Sequence, residues 1–308
     1  MAKIVIALGG NALGDSPSEQ LEKAVAAAAA IADLIEDGHR VVVAHGNGPQ
    51  VGMINMGLDA AAREGVINAA LPLPECGAMS QGYIGYHLQN SIRNEFDARG
   101  IKMPAAAIIT QVLVDENDPA FLKPTKPIGA FYTPEQAERA RREQGFTVAE
   151  DSGRGYRRVV ASPRPVDVIE KETVSALMEA GQLVITVGGG GIPVARRGGR
   201  LVGVPAVIDK DLASAKLAEL IKADMLIMLT AVDRVAVNFG KPDQRPIERM
   251  SIGQALRYID EGQFAPGSML PKVQAAVEFA AGGGSALIAA LEHAADAVRG
   301  RSGTLVCR

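Results

Sequence analysis

The sequence predicts an α/β fold with a largely parallel central sheet covered by helices. Short apolar runs alternate with helical segments along most of the 308 residues. Several runs are apolar throughout, as expected of strands with helices on both faces. Three of the runs end in glycine-rich turns that lead into helical patterns. This alternation implies right-handed βαβ units.

Strands are expected over 3–8, 40–45, 105–111, 183–187 and 225–230. Each is a short apolar run bounded by turn residues. Helices are expected over 18–37, 49–64, 80–99, 169–180, 212–222, 252–261 and 271–281. Residues 24–32 are alanine-rich, but Glu22, Lys23 and Asp33 flank them, so they read as a packed helix. Residues 116–165 break the rhythm with six prolines and a basic run from Arg139 to Arg142. A structureless loop of that length is improbable, so the stretch reads as an inserted subdomain. Within it Thr133-Pro134-Glu135 has a capping side chain, a first-turn proline and an acid at the positive dipole end. Residues 154–160 read as a strand there.

Hydrophobic residues make up 47% of the chain and charged residues 22%, enough for a large core. The net charge is −3, so no global basic field favours nucleic acid. Cys76 and Cys307 fit neither a metal spacing nor a disulfide framework, which points to a cytoplasmic setting. MAKIVIALGG is too short a run for a signal peptide. No stretch reaches the roughly 18 apolar residues that span a membrane.

The glycine turns are Gly9-Gly10-Asn11-Ala12, Gly46-Asn47-Gly48-Pro49 and the run 188–191. Any one of them serves as a tight strand-to-helix turn. Three together suit a long, multiply charged ligand crossing several strand ends, because glycine admits close approach and helix N-termini attract anions. No GxxxxGK[ST] follows, which excludes a P-loop. Asp209-Lys210-Asp211 follows an apolar approach and precedes a helix. An N-cap explains one aspartate; a lysine set between two aspartates suits a transferring phosphate. Lys272 lies near a helix start, where the dipole disfavours a cation and an anionic partner is expected. Lys126 is held between prolines in a rigid turn. His45, beside a glycine loop, reads as a packing residue. His39, His45, His87 and His293 show no metal-ligand pairing, and no nucleophile elbow is visible.

The strings ALGGNA, HGNGPQVG, PTKPIG, EDSGRGYRRVVASPRP, GGGGIPV, VIDKDLAS, LTAVD, NFGKPD and FAPGSMLPK resemble those of carbamate kinases, in the same order, from about residue 3 to about 306. Carbamate kinases belong to the amino acid kinase superfamily. The resemblance implies a three-layer αβα sandwich, with a mainly parallel open sheet of about eight strands and a small protruding lid. It implies one domain with a carbamate lobe over about 1–182, a lid over about 116–165 and a nucleotide lobe over about 183–308. The implied reaction is carbamoyl phosphate plus ADP to carbamate plus ATP, reversibly, with magnesium on the nucleotide and a homodimeric enzyme.

By motif, the resemblance assigns Gly9, Gly10 and Asn11 to the transferring phosphoryl group, and Gly46, Asn47 and Gly48 to the carbamate site. Lys126 would reach in from the lid. Lys210 and Lys272 would hold the terminal phosphates, with Asp211 orienting them and Asp209 assisting. Thr230, Ala231, Val232, Asp233, Asn238, Phe239 and Met269 would border the nucleotide. Related acyl-phosphate kinases carry a lysine before the first glycines; here Ala7-Leu8 stand there, and Lys126 is the expected substitute. Carbamate is already an anion, so the lack of a recognisable base fits it better than an alcohol acceptor. An acetylglutamate kinase would need a larger acid pocket. A silent binding protein would be expected to lack one of the three lysines.

Overall fold

The computed structural model describes residues 1–9, 16–47, 49–151 and 153–308. The chain opens with β1 (Lys3–Leu8), α1 (Pro17–Glu36), β2 (Arg40–His45), α2 (Gln50–Arg63), α3 (Leu73–Arg99), β3 (Ala105–Ala107) and β4 (Gln111–Val114). Next come β5 (Lys126–Tyr132), α4 (Pro134–Gln144), β6 (Val148–Glu150) and β7 (Tyr156–Val160). They are followed by β8 (Pro165–Val168), α5 (Lys171–Glu179), β9 (Leu183–Thr186), β10 (Ile192–Arg197) and β11 (Arg200–Gly203). The remainder holds α6 (Lys210–Leu220), β12 (Met225–Thr230), β13 (Ala236–Val237), β14 (Arg245–Pro246), β15 (Arg249–Ser251) and α7 (Ile252–Asp260). It ends with α8 (Met269–Ala281), β16 (Ser285–Ala290), α9 (Ala294–Val298) and β17 (Thr304–Cys307).

Eight strands form the main sheet in the order β15-β17-β16-β12-β1-β2-β9-β3. Every junction is parallel except β16 with β17. Strand side chains alternate between faces, and both faces are buried. Ile4, Ile6 and Leu8 join a core with Ala27, Ile31 and Leu34 of α1 and Ile84, Leu88, Ile92 and Phe96 of α3. Val5 and Ala7 point the other way, into a core with Met178 of α5, Leu217 of α6 and Val273 and Phe279 of α8. That division makes three layers, as the sequence predicts. Ser16 caps α1 by accepting from Glu19 N, and Pro17 occupies its first turn.

The expected strand over 105–111 is two strands in different sheets. The turn between them is pinned by side chains. Gln81 Nε2 donates to Thr110 O, and Gln81 Oε1 accepts from Thr110 N. The Thr110 and Thr186 hydroxyls meet at 2.7 Å, and Val187 N donates to Thr110 Oγ1. β3 therefore ends on the main sheet, and β4 enters a second sheet, β11-β10-β4-β8. Helix α3 starts before the expected residue 80, because Pro74 and Glu75 occupy its first turn. β16 and β17 have no sequence-based expectation; SALIAA is alanine-rich and gains its strand character from burial.

Within the stretch 116–165, residues 126–160 form a small sheet of their own with one helix. Antiparallel β5-β7-β6 pairs with α4, whose expected cap Thr133 forms a capping box with Gln136. Ala137, Ala140 and Val148 give it a small core of its own.

Phe96 is fully buried beneath α1 and the sheet. Phe96→Ala should cost about 3–5 kcal/mol through lost transfer energy and an unfilled cavity. Denaturant unfolding measures it, with an unchanged slope and a lower midpoint as the expected signature.

Candidate active site

The site lies outside the carboxyl ends of β1, β2, β9 and β12, where ligands of open α/β sheets sit. A cavity of about 900 Å³ is lined there by Gly9, Gly46, Asn47, Lys126, Gly189, Asp209, Lys210, Asp211, Thr230 and Lys272, among others.

The glycines make its floor possible. A Cβ on Gly9 would lie 2.7 Å from Leu229 O. On Gly188 it would meet His45 Nε2 at 2.5 Å, and on Gly189 it would meet Asn47 Nδ2 at 2.5 Å. Gly189, Gly190 and Gly191 also have positive φ, which β-carbon-bearing residues rarely adopt. His45 is buried, its Nδ1 donating to Gly46 O at 2.6 Å. Burial, aided by the charge of Lys210 and opposed by that backbone bond, pulls its pKa to about 4. It is a neutral residue packed beneath the glycine turn, in line with the packing role expected.

The start of α6 concentrates the charge. Asp209 is the N-cap: its Oδ1 accepts from Asp211 N at 2.9 Å and from Leu212 N at 3.5 Å. Its Oδ2 accepts from Lys126 Nζ at 2.6 Å, which ties the inserted subdomain to the helix end. Asp209 is thus both the N-cap of α6 and the partner of Lys126. Burial would raise the Asp209 pKa, but the charge and hydrogen bond of Lys126 together with the charge of Lys210 outweigh it, and the pKa is lowered.

Asp211, in the first turn of α6, is 4% exposed. Its Oδ1 accepts from Lys210 Nζ at 2.5 Å and its Oδ2 from Lys272 Nζ at 2.8 Å. Lys272 stands in the first turn of α8, so Asp211 is the anion that its dipole position requires. Burial works against the Asp211 charge, but the two ammonium groups prevail and hold its pKa well below the carboxylate range. The lysines diverge. Burial, with repulsion from Lys272, pulls Lys210 down to about 8 despite Asp211. For Lys272, burial is outweighed by the charge and bond of Asp211, which hold it above the usual lysine value. Three lysines here face two carboxylates, an arrangement with room for an anion.

Not every sequence-assigned residue reaches this cavity. Gly10, Asn11 and Gly48 lie outside the described residues. Ala231, Val232, Asp233, Asn238, Phe239 and Met269 are not among its lining residues, although Thr230 is. Asp233 Oδ1 meets His293 Nδ1 at 2.9 Å and also accepts from Ser302 Oγ. Asn238 adopts a left-handed φ of 54° and donates from Nδ2 to Asp243 Oδ2. Phe239 is largely exposed.

Arg154 and Arg157 also line the cavity, although the sequence reading assigned them no role. Arg157 Nη1 donates to Asp151 Oδ2 at 3.2 Å and Nε to Gly129 O at 3.1 Å. Both guanidinium groups lie over the Phe131 ring.

Asp211→Asn should destabilise the fold by about 3–5 kcal/mol, because two buried ammonium groups lose their counter-charge. Denaturant unfolding at neutral pH checks this. A change within experimental error would mean that the lysines find other partners.

Residues 2–290 match the model of the amino acid kinase family. The "Carbamate kinase-like protein YqeA" of Escherichia coli is 59% identical over 308 residues, covering 99% of each chain. The "Carbamate kinase" of Clostridium perfringens is 54% identical over 313 residues, covering 99% of this chain and 100% of the relative. Among solved structures, carbamate kinase from Giardia lamblia bound to AMP-PNP superposes with a TM-score of 0.91 at 41% identity. That match covers 99% of this chain and 98% of the other. The chain belongs to the amino acid kinase family and, within it, to the carbamate kinases.

Proposed function

We propose that the lysine–aspartate cluster at the starts of α6 and α8 carries the carbamate kinase reaction. The P–O bond to the carbamoyl oxygen breaks, and a β-phosphate oxygen of ADP takes the phosphorus, leaving carbamate and ATP. The observation that carries this reading is the convergence of Lys126, Lys210 and Lys272 on Asp209 and Asp211 at one cavity.

Phosphoryl transfer needs in-line positioning and neutralised equatorial oxygens more than covalent help. Lys210 and Lys272 hold the terminal phosphates, and Asp211 aims both ammonium groups. Lys126 leaves Asp209 for the carbamoyl phosphate oxygens. Gly9, Gly10 and Asn11 border the moving phosphoryl group, and Gly46, Asn47 and Gly48 border carbamate. Thr230, Ala231, Val232, Asp233, Asn238, Phe239 and Met269 border the nucleotide beyond β12. Carbamate is an anion at neutral pH, so no side chain need abstract a proton.

Magnesium fits as the nucleotide's companion. Asp209 and Asp211 are both occupied by lysines, which suits an ion held by phosphate oxygens and water rather than by a carboxylate cage. When bound, it supplies charge neutralisation at the phosphates. A cytoplasmic homodimer, with lobes meeting near residues 182 and 183, completes the reading. No described helix is long and apolar enough to cross a membrane.

The first test is ATP formation from ADP, magnesium and carbamoyl phosphate, beside acetyl phosphate. Preference for carbamoyl phosphate is expected; no ATP from folded, ADP-binding protein would overturn the reading. Lys210→Ala and Lys272→Ala should each lower the rate by about a hundred- to a thousand-fold with the fold intact. Lys126→Ala should impair use of carbamoyl phosphate more than ADP binding.

The free enzyme's pH profile follows from Lys210. Its ammonium is charged below about pH 8 and neutral above, so kcat/KM for ADP should fall as pH rises through that region. The apparent value belongs to the Lys210–Lys272 pair. Stability should move oppositely, since the unfolded chain keeps the lysine proton up to about pH 10.4 and binds more protons across that window. A flat activity profile up to about pH 10 would remove Lys210's charge from ADP capture.

A further inference from the structure

Lys126 acts from a subdomain that is joined to the body through a small contact. The joint is apolar at its centre: Ile128 of β5 and Val160 of β7 are buried with Val51 of α2, Leu73 and Cys76 of α3, and Val207. Apolar contact holds surfaces together but has little directionality. Something else must set where the subdomain sits.

Two features do so, both on α2. The first is a backbone-to-backbone approach. A Cβ on Gly52 would lie 2.1 Å from Gly129 N, so β5 rests directly on the first turn of α2. The second is polar. Arg158 of β7 donates from Nη1 to Asn55 Oδ1 at 2.6 Å. Asn55 is 5% exposed and is itself held, Nδ2 donating to Leu71 O at 3.3 Å and toward Cys76 Sγ at 3.7 Å. The Arg158 guanidinium also lies 3.7 Å from the centre of the Phe146 ring. Burial lowers the Arg158 pKa, with Asp59 and Tyr132 opposing, so this charge is kept inside at a cost. Among the described residues, no carboxylate forms a hydrogen bond or ion pair with it.

The register connects this bond to the chemistry. Arg158 pairs across the strands with Ile128, and Val160 pairs with Lys126. Lys126 is therefore one pleat from the strand pair that Arg158 anchors. The N-cap of the same α2 is Pro49, which lines the cavity and follows the Gly46-Asn47 turn. One helix thus carries both a wall of the cavity and the seat of the subdomain.

We infer that Arg158 and Asn55 form a positioning pair that seats the β5–β7 hairpin on α2 and so sets the reach of Lys126 into the site. The inference rests on Lys126 acting in the reaction. Arg158 touches no substrate; it works through Lys126.

The test is steady-state kinetics for both substrates, with calorimetric ADP binding, on wild type, K126A, R158M, R158K, N55A and the double variant K126A/R158M. R158M should lower kcat/KM for carbamoyl phosphate about ten- to a hundred-fold, the range expected of a displaced catalytic group. ADP affinity should stay within about twofold, and R158K should recover part of the loss. K126A/R158M should be no worse than K126A alone, because a residue acting through Lys126 has nothing left to position. Multiplying losses in the double variant, or an equal loss of ADP binding in R158M, would overturn the inference. N55A should reproduce the R158M pattern, and its normal kinetics would equally overturn it should R158M not fold. Near-wild-type turnover by K126A would instead sink the underlying role of Lys126, a distinguishable result.

Discussion

Asp211 is the constraint on which the site depends. A carboxylate with 4% exposure is tolerable only if its charge is paired and both oxygens are used. Lys210 and Lys272 do that from two different helices. The pair therefore ties the start of α6 to the start of α8, on one face of the sheet. It also sets the direction of both ammonium groups before any ligand arrives. Preorganised charge of this kind avoids reorganisation at the moment of reaction, the feature most valuable in a phosphoryl-transfer site.

Bringing lysines from separate elements to one point requires that the backbone below them be thin. The 188–191 run meets this need: its glycines lie against His45, Asn47, Ile208 and Val112 at distances no Cβ could share. The consequence reaches the electrostatics. Tight packing dries His45 and holds it neutral, so the buried ring near Lys210 adds no competing positive charge. Packing and charge are thus one design here. Small residues at the strand ends let the helix starts crowd together, and crowding makes the shared carboxylate necessary.

Much of this was legible in the sequence. Continuous apolar strands such as KIVIAL announce burial on both faces, and the cores on either side of Ile6 and Val5 bear that out. IDKD looked too charged for a plain cap, and Asp209 proved to be both a cap and a lysine partner. Other features were hidden for physical reasons. The break at Thr110 depends on Gln81 and Thr186, residues far away in sequence. β16 reads as a poor strand because its alanines gain nothing until the sheet buries them. Asn55 looks like an ordinary helix residue until Arg158 arrives from more than a hundred positions on.

The subdomain joint divides labour between two kinds of interaction. Lys210 and Lys272 stand on helices packed into the main core, and their geometry is as rigid as that core. Lys126 stands on a hairpin whose own core is three small residues, with a few apolar side chains at its joint. Its ion pair with Asp209 is correspondingly replaceable: Asp209 also caps α6 through its other oxygen and keeps that role when Lys126 leaves. An arriving phosphate oxygen can therefore take Lys126 without unravelling the helix start. The Lys210–Lys272 end of the site is thus built into the fold, while the Lys126 end is held by an ion pair that another anion can replace.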